Sequence, residues 1–306
     1  MSFLRRFRRR PGPFWAPFFS RDEHERFRAA LHAEMRSRSW TFDEEEDGLV
    51  VHPPAFEQDE EFGLANLAQM CRLAGEHAWP EVIRDHFTNL LRAREEDTPE
   101  LDAWETARPL LKLRLFGPQT VLPDHVVTYP VARGLMATLA LDLPTTVRIL
   151  NRATTDAWPP VDELDRVALE NTLEEPAPDV SVLRETEAPT TFLSGDSMFV
   201  ASHVLALPRV VDLAGASGAF VAVPNRHALI VHAIRDARAV PALYGMVAMA
   251  HDLHRDGPGS IIPTVYWWHA GAMSPIEASF DGKQVNVTPP DGLNELLDSV
   301  GASSRR

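Results

Sequence analysis

Residues 219–231 read Ala-Phe-Val-Ala-Val-Pro-Asn-Arg-His-Ala-Leu-Ile-Val. Two runs rich in β-forming residues, 219–223 and 228–231, flank Pro224-Asn225-Arg226-His227. Proline presets its own φ and asparagine tolerates unusual backbone angles, so the four residues make a turn and the whole stretch predicts a hairpin. Working outward, 240–255 carries Leu243, Val247, Ala250 and Leu253 or His254 at helical spacing, with Gly257 as its stop. A strand follows over 261–268 and a short one over 284–288. On the other side, a helical region over 198–213 is interrupted by Pro208, and a polar loop runs from the end of the preceding helix to Thr191. That helix opens at Pro159-Pro160 and reaches Leu173, with Val161, Leu164, Ala168 and Leu169 on its buried side. Strands are expected at 110–115, 135–141 and 146–149.

Nearer the start, 21–38 reads as a helix with Phe27, Leu31 and Met35 on one face. A hairpin joins 40–42 to 49–51 through Asp47-Gly48, with the acids 44–46 as its solvated tip. Residues 62–94 hold two helical stripes, Leu64, Leu67, Cys71 and Ala74, then Ile83, Phe87, Leu90 and Leu91, divided by Pro80. The charged, proline-flanked stretch 94–109 reads as a link. Strand pairs stand beside helices without a steady βαβ alternation, so the expected fold class is α+β, antiparallel hairpins with covering helices; an α/β sandwich is the alternative. The expected organisation is an arm over 1–20, an N-terminal α+β region over 21–115, a C-terminal α+β domain over 120–290 and a tail over 291–306.

Composition narrows the function classes. At 306 residues, 44% of them hydrophobic and 24% charged, the chain can bury a substantial core. No apolar run is long enough to cross a membrane as a helix. One cysteine, Cys71, excludes an internal disulfide, and the basic opening lacks the clean apolar core of an export signal, so a cytoplasmic location is expected. A net charge of -14 argues against general nucleic-acid binding. The first ten residues oppose that sign with Arg5, Arg6, Arg8, Arg9 and Arg10 and no acid. They read either as a basic tail or as a tether to a peripheral membrane surface or a partner.

No complete catalytic signature is present. Gly195-Asp196-Ser197 matches the nucleophile block of SGNH esterases, yet none of the 12 histidines has an aspartate three residues before it, as that family's Asp-x-x-His pair requires. A turn with Ser197 capping the next element is the preferred reading. His251 and His254, with His269 after a strand that could run back beside them, are the alternative for a zinc site. A polar helix C-terminus accounts for the first two as well. Phosphate loops fail, because Gly257-Pro-Gly-Ser260 has no lysine and follows a helix.

Five stretches, in order, carry a likeness: 139–143, Leu-Ala-Leu-Asp-Leu; 194–202, Ser-Gly-Asp-Ser-Met-Phe-Val-Ala-Ser; 220–226, Phe-Val-Ala-Val-Pro-Asn-Arg; 244–249, Tyr-Gly-Met-Val-Ala-Met; and 262–265, Ile-Pro-Thr-Val. Over about 125–270 the chain resembles the YtpQ-like bacterial family, a domain of unknown function. The resemblance implies no catalytic residue and no cofactor, and it lowers the zinc reading, since that family does not typically carry histidine at the positions of His251 and His254. The expectation is therefore a non-catalytic binding or regulatory module whose partner is another protein. Its ligand surface is expected at Asp196, Ser197, Asn225, Arg226 and His227, side chains on short polar turns held between apolar elements. A hydrolase-type enzyme using histidine, serine and aspartate of the C-terminal domain, with His251, His254 and Ser197 as its candidates, is the competing class.

Overall fold

The computed structural model describes residues 13, 15–16, 18–45, 48–96, 99–120, 122–144, 146–174, 178–183, 189–280 and 284–303, excepting the side chains of 96, 99, 280, 302 and 303. The chain divides into two compact units, residues 1–92 and 93–306. No helix among the described residues is long and apolar enough to cross a membrane.

In the first unit, α1 (Arg21–Ser37) starts at Ser20, whose hydroxyl oxygen accepts from the Glu23 N–H while the Glu23 carboxylate accepts from the Ser20 N–H. Reciprocal capping of this kind contributes about 1 kcal/mol. Phe27, Leu31 and Met35 are buried. So are Ala16 and Phe19, which fall inside the stretch expected to be an arm. The Phe19 ring lies 5.6 Å from Phe27 and 5.4 Å from Trp79 between centroids. An aromatic ring removes so much apolar surface from water that docking outweighs the entropy of a free end. Strands β1 (Phe42–Glu44), β2 (Gly48–Val51) and β3 (Glu60–Gly63) form an antiparallel sheet. β3 takes in Phe62, expected to open a helix. α2 (Ala65–Ala74) ends at Gly75, where φ is 82°, and α3 (Trp79–Glu96) carries Pro80 in its first turn, where a missing N–H costs nothing. Leu67, Cys71, Ile83 and Phe87 are buried, whereas Ala74 is exposed.

The second unit opens with the stretch expected as a link. From Leu101 to Ala107, through the short α4 (Trp104–Ala107), it covers the core: both residues are buried, and Trp158 Nε1 donates to the Asp102 carbonyl at 2.8 Å. β4 (Leu111–Phe116) then pairs along its whole length with β6 (Leu135–Asp142), whose other edge carries β5 (Thr128–Ala132) and β7 (Val147–Ile149). This pairing moves the boundary expected near 115 back to 92. The short α5 (Arg152–Thr155) precedes α6 (Val161–Leu173), which buries Leu164, Val167 and Ala168 but leaves Val161 exposed.

A six-stranded antiparallel sheet occupies the middle of this unit. Its members are β8 (Asp179–Leu183), β9 (Thr190–Ser194), β10 (Ala219–Ala222), β11 (Ala228–Ala233), β12 (Val265–His269) and β13 (Ala272–Pro275), in the order β13-β12-β10-β11-β9-β8. The expected polar loop thus contains β8 and the start of β9. Between β9 and β10 lie a 3-10 segment (Val200–Ala206) and α7 (Leu207–Val210). Ala219, Val221, Leu229, Val231 and Tyr266 join one core with the leucines of β4 and β6 and with α6. Alternate residues Phe220, Ala222, Ile230 and Val265 join a second core with α8 (Ala239–Asp256) and α9 (Leu293–Ser303). Period-2 alternation splits the sheet between two cores, and the strand runs are apolar throughout for that reason. Trp267 and Trp268 likewise pack on opposite cores. A hairpin of β14 (Glu277–Phe280) and β15 (Val285–Thr288) precedes α9. The expected tail is this helix, docked through buried Leu293 and Val300. The fold is α+β with antiparallel sheets.

Candidate functional site

Antiparallel register brings the two expected turns together. Ser194 at the end of β9 is opposite Ala228 at the start of β11, so the residues after β9 and the turn before β11 emerge at one end of the sheet. The imidazole of His227 joins them. Its Nδ1–H donates to the Gly195 carbonyl at 3.1 Å, which leaves Nε2 as the acceptor for Arg226 Nε–H at 2.9 Å. Both ring nitrogens are engaged. Burial first, and then the Arg226 charge, hold His227 below the ordinary histidine value, so it is a neutral support for the guanidinium.

The other expected residues divide by role. Asn225 is buried; its Oδ1 accepts from the His227 backbone N–H at 3.0 Å and its Nδ2 donates to the Leu253 carbonyl at 2.9 Å, near the end of α8. Its side-chain bonds shape the turn and give a second donor to the Leu253 carbonyl, which also accepts from the Gly257 N–H at 2.9 Å. Ser197 Oγ accepts from the Phe199 N–H at 3.1 Å, a local turn bond. Asp196 is exposed. Arg226 is partly buried and its backbone is clamped, with its N–H donating to Gly259 at 3.0 Å and its carbonyl accepting from Ala201 at 3.2 Å. Gly259 has φ of 69° and lies on the Arg226 side chain: a Cβ there would meet Arg226 Cδ at 2.5 Å.

One residue of this neighbourhood escapes sequence reasoning. On β4, Lys112, Arg114 and Phe116 share the face opposite the leucines. Lys112 pairs with Asp142 at 2.6 Å and lies over the Phe199 ring at 5.1 Å; Arg114 lies over Phe116 at 5.2 Å. Phe199 precedes by two residues the Ala201 that holds Arg226, and a Cβ on Gly117 would stand 1.8 Å from the carbonyl oxygen of Ile261, in the segment that clamps Arg226. Burial, and then Arg226, push the Arg114 guanidinium down to about 10; burial also lowers Arg226. The Leu-Lys-Leu-Arg-Leu-Phe alternation of 111–116 is the signal that could have raised the question of what faces Arg114.

The alternative zinc ligands do not converge. Among the described residues no group of three histidine, cysteine or acidic side chains is placed to hold a metal. His254 ends α8 near Asn225, at the end of the sheet where β12 begins, while His269 is the last residue of β12 and its Nδ1 bonds the Ser217 carbonyl at 3.1 Å. The length of a five-residue strand separates them. His251 lines a cavity of about 320 Å³ with Arg133, Thr264 and Glu277, and a second of about 260 Å³ is lined by Tyr129, Arg152 and Trp158; neither is lined by Arg114 or Arg226. Arg5, Arg6, Arg8, Arg9 and Arg10 lie outside the described residues.

Comparison with family models, with curated proteins and with solved structures finds no match.

Proposed function

We propose that this chain is a non-catalytic cytoplasmic binding module, YtpQ-like in kind, which recognises another protein through the turns 194–197 and 224–227. One observation carries the reading: His227 bridges the two turns with both ring nitrogens occupied, holding the Arg226 guanidinium in place. A general base needs a free nitrogen lone pair beside its nucleophile, and the Ser197 hydroxyl is turned to the Phe199 N–H. These features support binding over hydrolysis. Rigid turns on a buried sheet are the arrangement that recognition surfaces use, since the scaffold removes the entropy of ordering them.

The test compares Arg226→Ala and Asp196→Ala for thermal stability and for partner capture from a lysate of the source organism. Folded variants that lose a partner held by the unaltered chain support the surface. Retention of every partner by both variants refutes it.

A further inference from the structure

We propose that the cavity lined by Tyr129, Arg152, Asp156 and Trp158 is a binding site for a free α-amino acid with an apolar side chain. None of its lining residues belongs to the turns 194–197 and 224–227, so the site stands whether or not those turns recognise a protein. Its volume is about 260 Å³. Pockets for drug-sized ligands start at about 300 Å³, while an apolar cavity of about 150 Å³ holds benzene. The space therefore suits a ring or branched chain with a small polar head.

The walls are held by bonds of their own. Asn151 Oδ1 accepts from the Thr154 N–H at 2.9 Å and caps α5, and the Arg152 N–H donates to the His125 carbonyl at 2.7 Å, which ties α5 to the chain just before β5. Trp158 is buried, its Nε1–H is taken by the Asp102 carbonyl and its ring lies 5.6 Å from Trp104, so it offers the cavity apolar surface only. Leu139 of β6 and Leu164 of α6, both buried, extend that surface. The Tyr129 hydroxyl is buried and completes no hydrogen bond among the described residues. Asp165, which acts on it electrostatically, has its own Oδ1 buried and unbonded. Burial first, and then Asp165, raise the Tyr129 pKa, so the hydroxyl stays protonated and can donate or accept. A ligand atom in the cavity would give it the partner it lacks.

Arg152 and Asp156 line the cavity and are exposed, which puts one charge of each sign at its mouth. Arg148 and Arg209 pair with Asp102 and Glu170, but among the described residues neither Arg152 nor Asp156 has a side-chain partner, although the two are four positions apart. A lone carboxylate drawn to Arg152 would bring like charge to Asp156, and a lone amine would do the reverse. A zwitterion gives each its opposite. An α-amino acid carries both groups on one carbon, with its side chain left to enter the apolar part. Being neutral overall, it is also indifferent to the chain's net charge of -14, which repels free anions.

The probes are L-phenylalanine and L-leucine, titrated into the full chain by calorimetry. Glycine, the corresponding acids without the amino group and the corresponding amines without the carboxylate serve as fragments. At least one of the two amino acids is expected to fill one saturable site, with every fragment at least about tenfold weaker, since each lacks a charge-assisted contact or the buried side chain. Arg152→Gln should weaken the amino acid about tenfold and leave the amine no weaker, whereas Asp156→Asn should weaken the amino acid as much and leave the acid no weaker. Both positions are exposed, and Arg209→Gln, at an exposed arginine paired with Glu170, should change nothing. Tyr129→Phe should weaken binding about fivefold. Without ligand it should melt no lower than the unaltered chain, because it removes an unbonded hydroxyl; a hydroxyl with a structural bond would lower the melting temperature. No saturable site for either amino acid up to about 10 mM, or fragments that bind as tightly as the amino acid, overturns the proposal. So does an affinity unmoved in Arg152→Gln or in Asp156→Asn.

Discussion

Asn225→Ala separates architecture from recognition within a turn of four residues. Asn225 is 4% exposed and its side chain makes two bonds, accepting from the His227 N–H and donating to the Leu253 carbonyl. Truncation leaves the His227 N–H without its acceptor and takes one of two donors from the Leu253 carbonyl, which keeps the Gly257 N–H. One polar group left without a partner costs about 1–3 kcal/mol, so the expected loss is about 2 kcal/mol. For a unit the size of residues 93–306 that is a fall in melting temperature of about 4–8 °C. Differential scanning calorimetry gives the number directly. Asp196→Ala, at an exposed position on the neighbouring turn, should move the transition by less than about 2 °C. A loss below about 1 kcal/mol in Asn225→Ala, or an equal loss in both variants, would refute the division of roles drawn from the bonds.

Phe19→Ala should destabilise the first unit by about 3–5 kcal/mol, measured by denaturant unfolding, because the ring is buried against Phe27 and Trp79; a change below about 1 kcal/mol would return residues 16–19 to the arm. The Cys71 thiol, buried and pushed up to about 12, should resist aromatic disulfide reagents at pH 8 in the folded chain, and modification within minutes would contradict its placement. Gly259→Ala should lower the melting temperature, since φ there is 69° and the added Cβ would meet the Arg226 side chain at 2.5 Å, and an unchanged transition in calorimetry would show that the loop yields. His203, His227 and His232 all have values lowered by burial, so below about pH 6.5 the unfolded chain takes up protons that the folded one does not. Stability should therefore fall as pH drops from 7 towards 5; His232→Gln should flatten the slope, and an unaltered slope in that variant would exclude the residue as a source.

What the sequence determined alone is local. The four-residue spacing of Phe27, Leu31 and Met35, the break at Pro80 and the hairpin of 219–231 all depend on residues a few positions apart, and all stand in the structure. The α+β class follows from such pieces. Tertiary structure decided everything that depends on register between distant strands. β4 belongs with the second unit because β6 satisfies its backbone, and neither the charged stretch before it nor the helix at the C-terminus is a loose end once a core is present for Leu101, Ala107, Leu293 and Val300. The same holds at the site. The pairing of Ser194 with Ala228 unites the two turns, and Gly117 after β4 approaches Ile261, in the segment that clamps Arg226. His254 and His269, close in sequence, are held apart by the length of β12. Periodicity reports which face of an element is apolar, but which residues then meet is set by the pairing of backbone groups far apart in the chain.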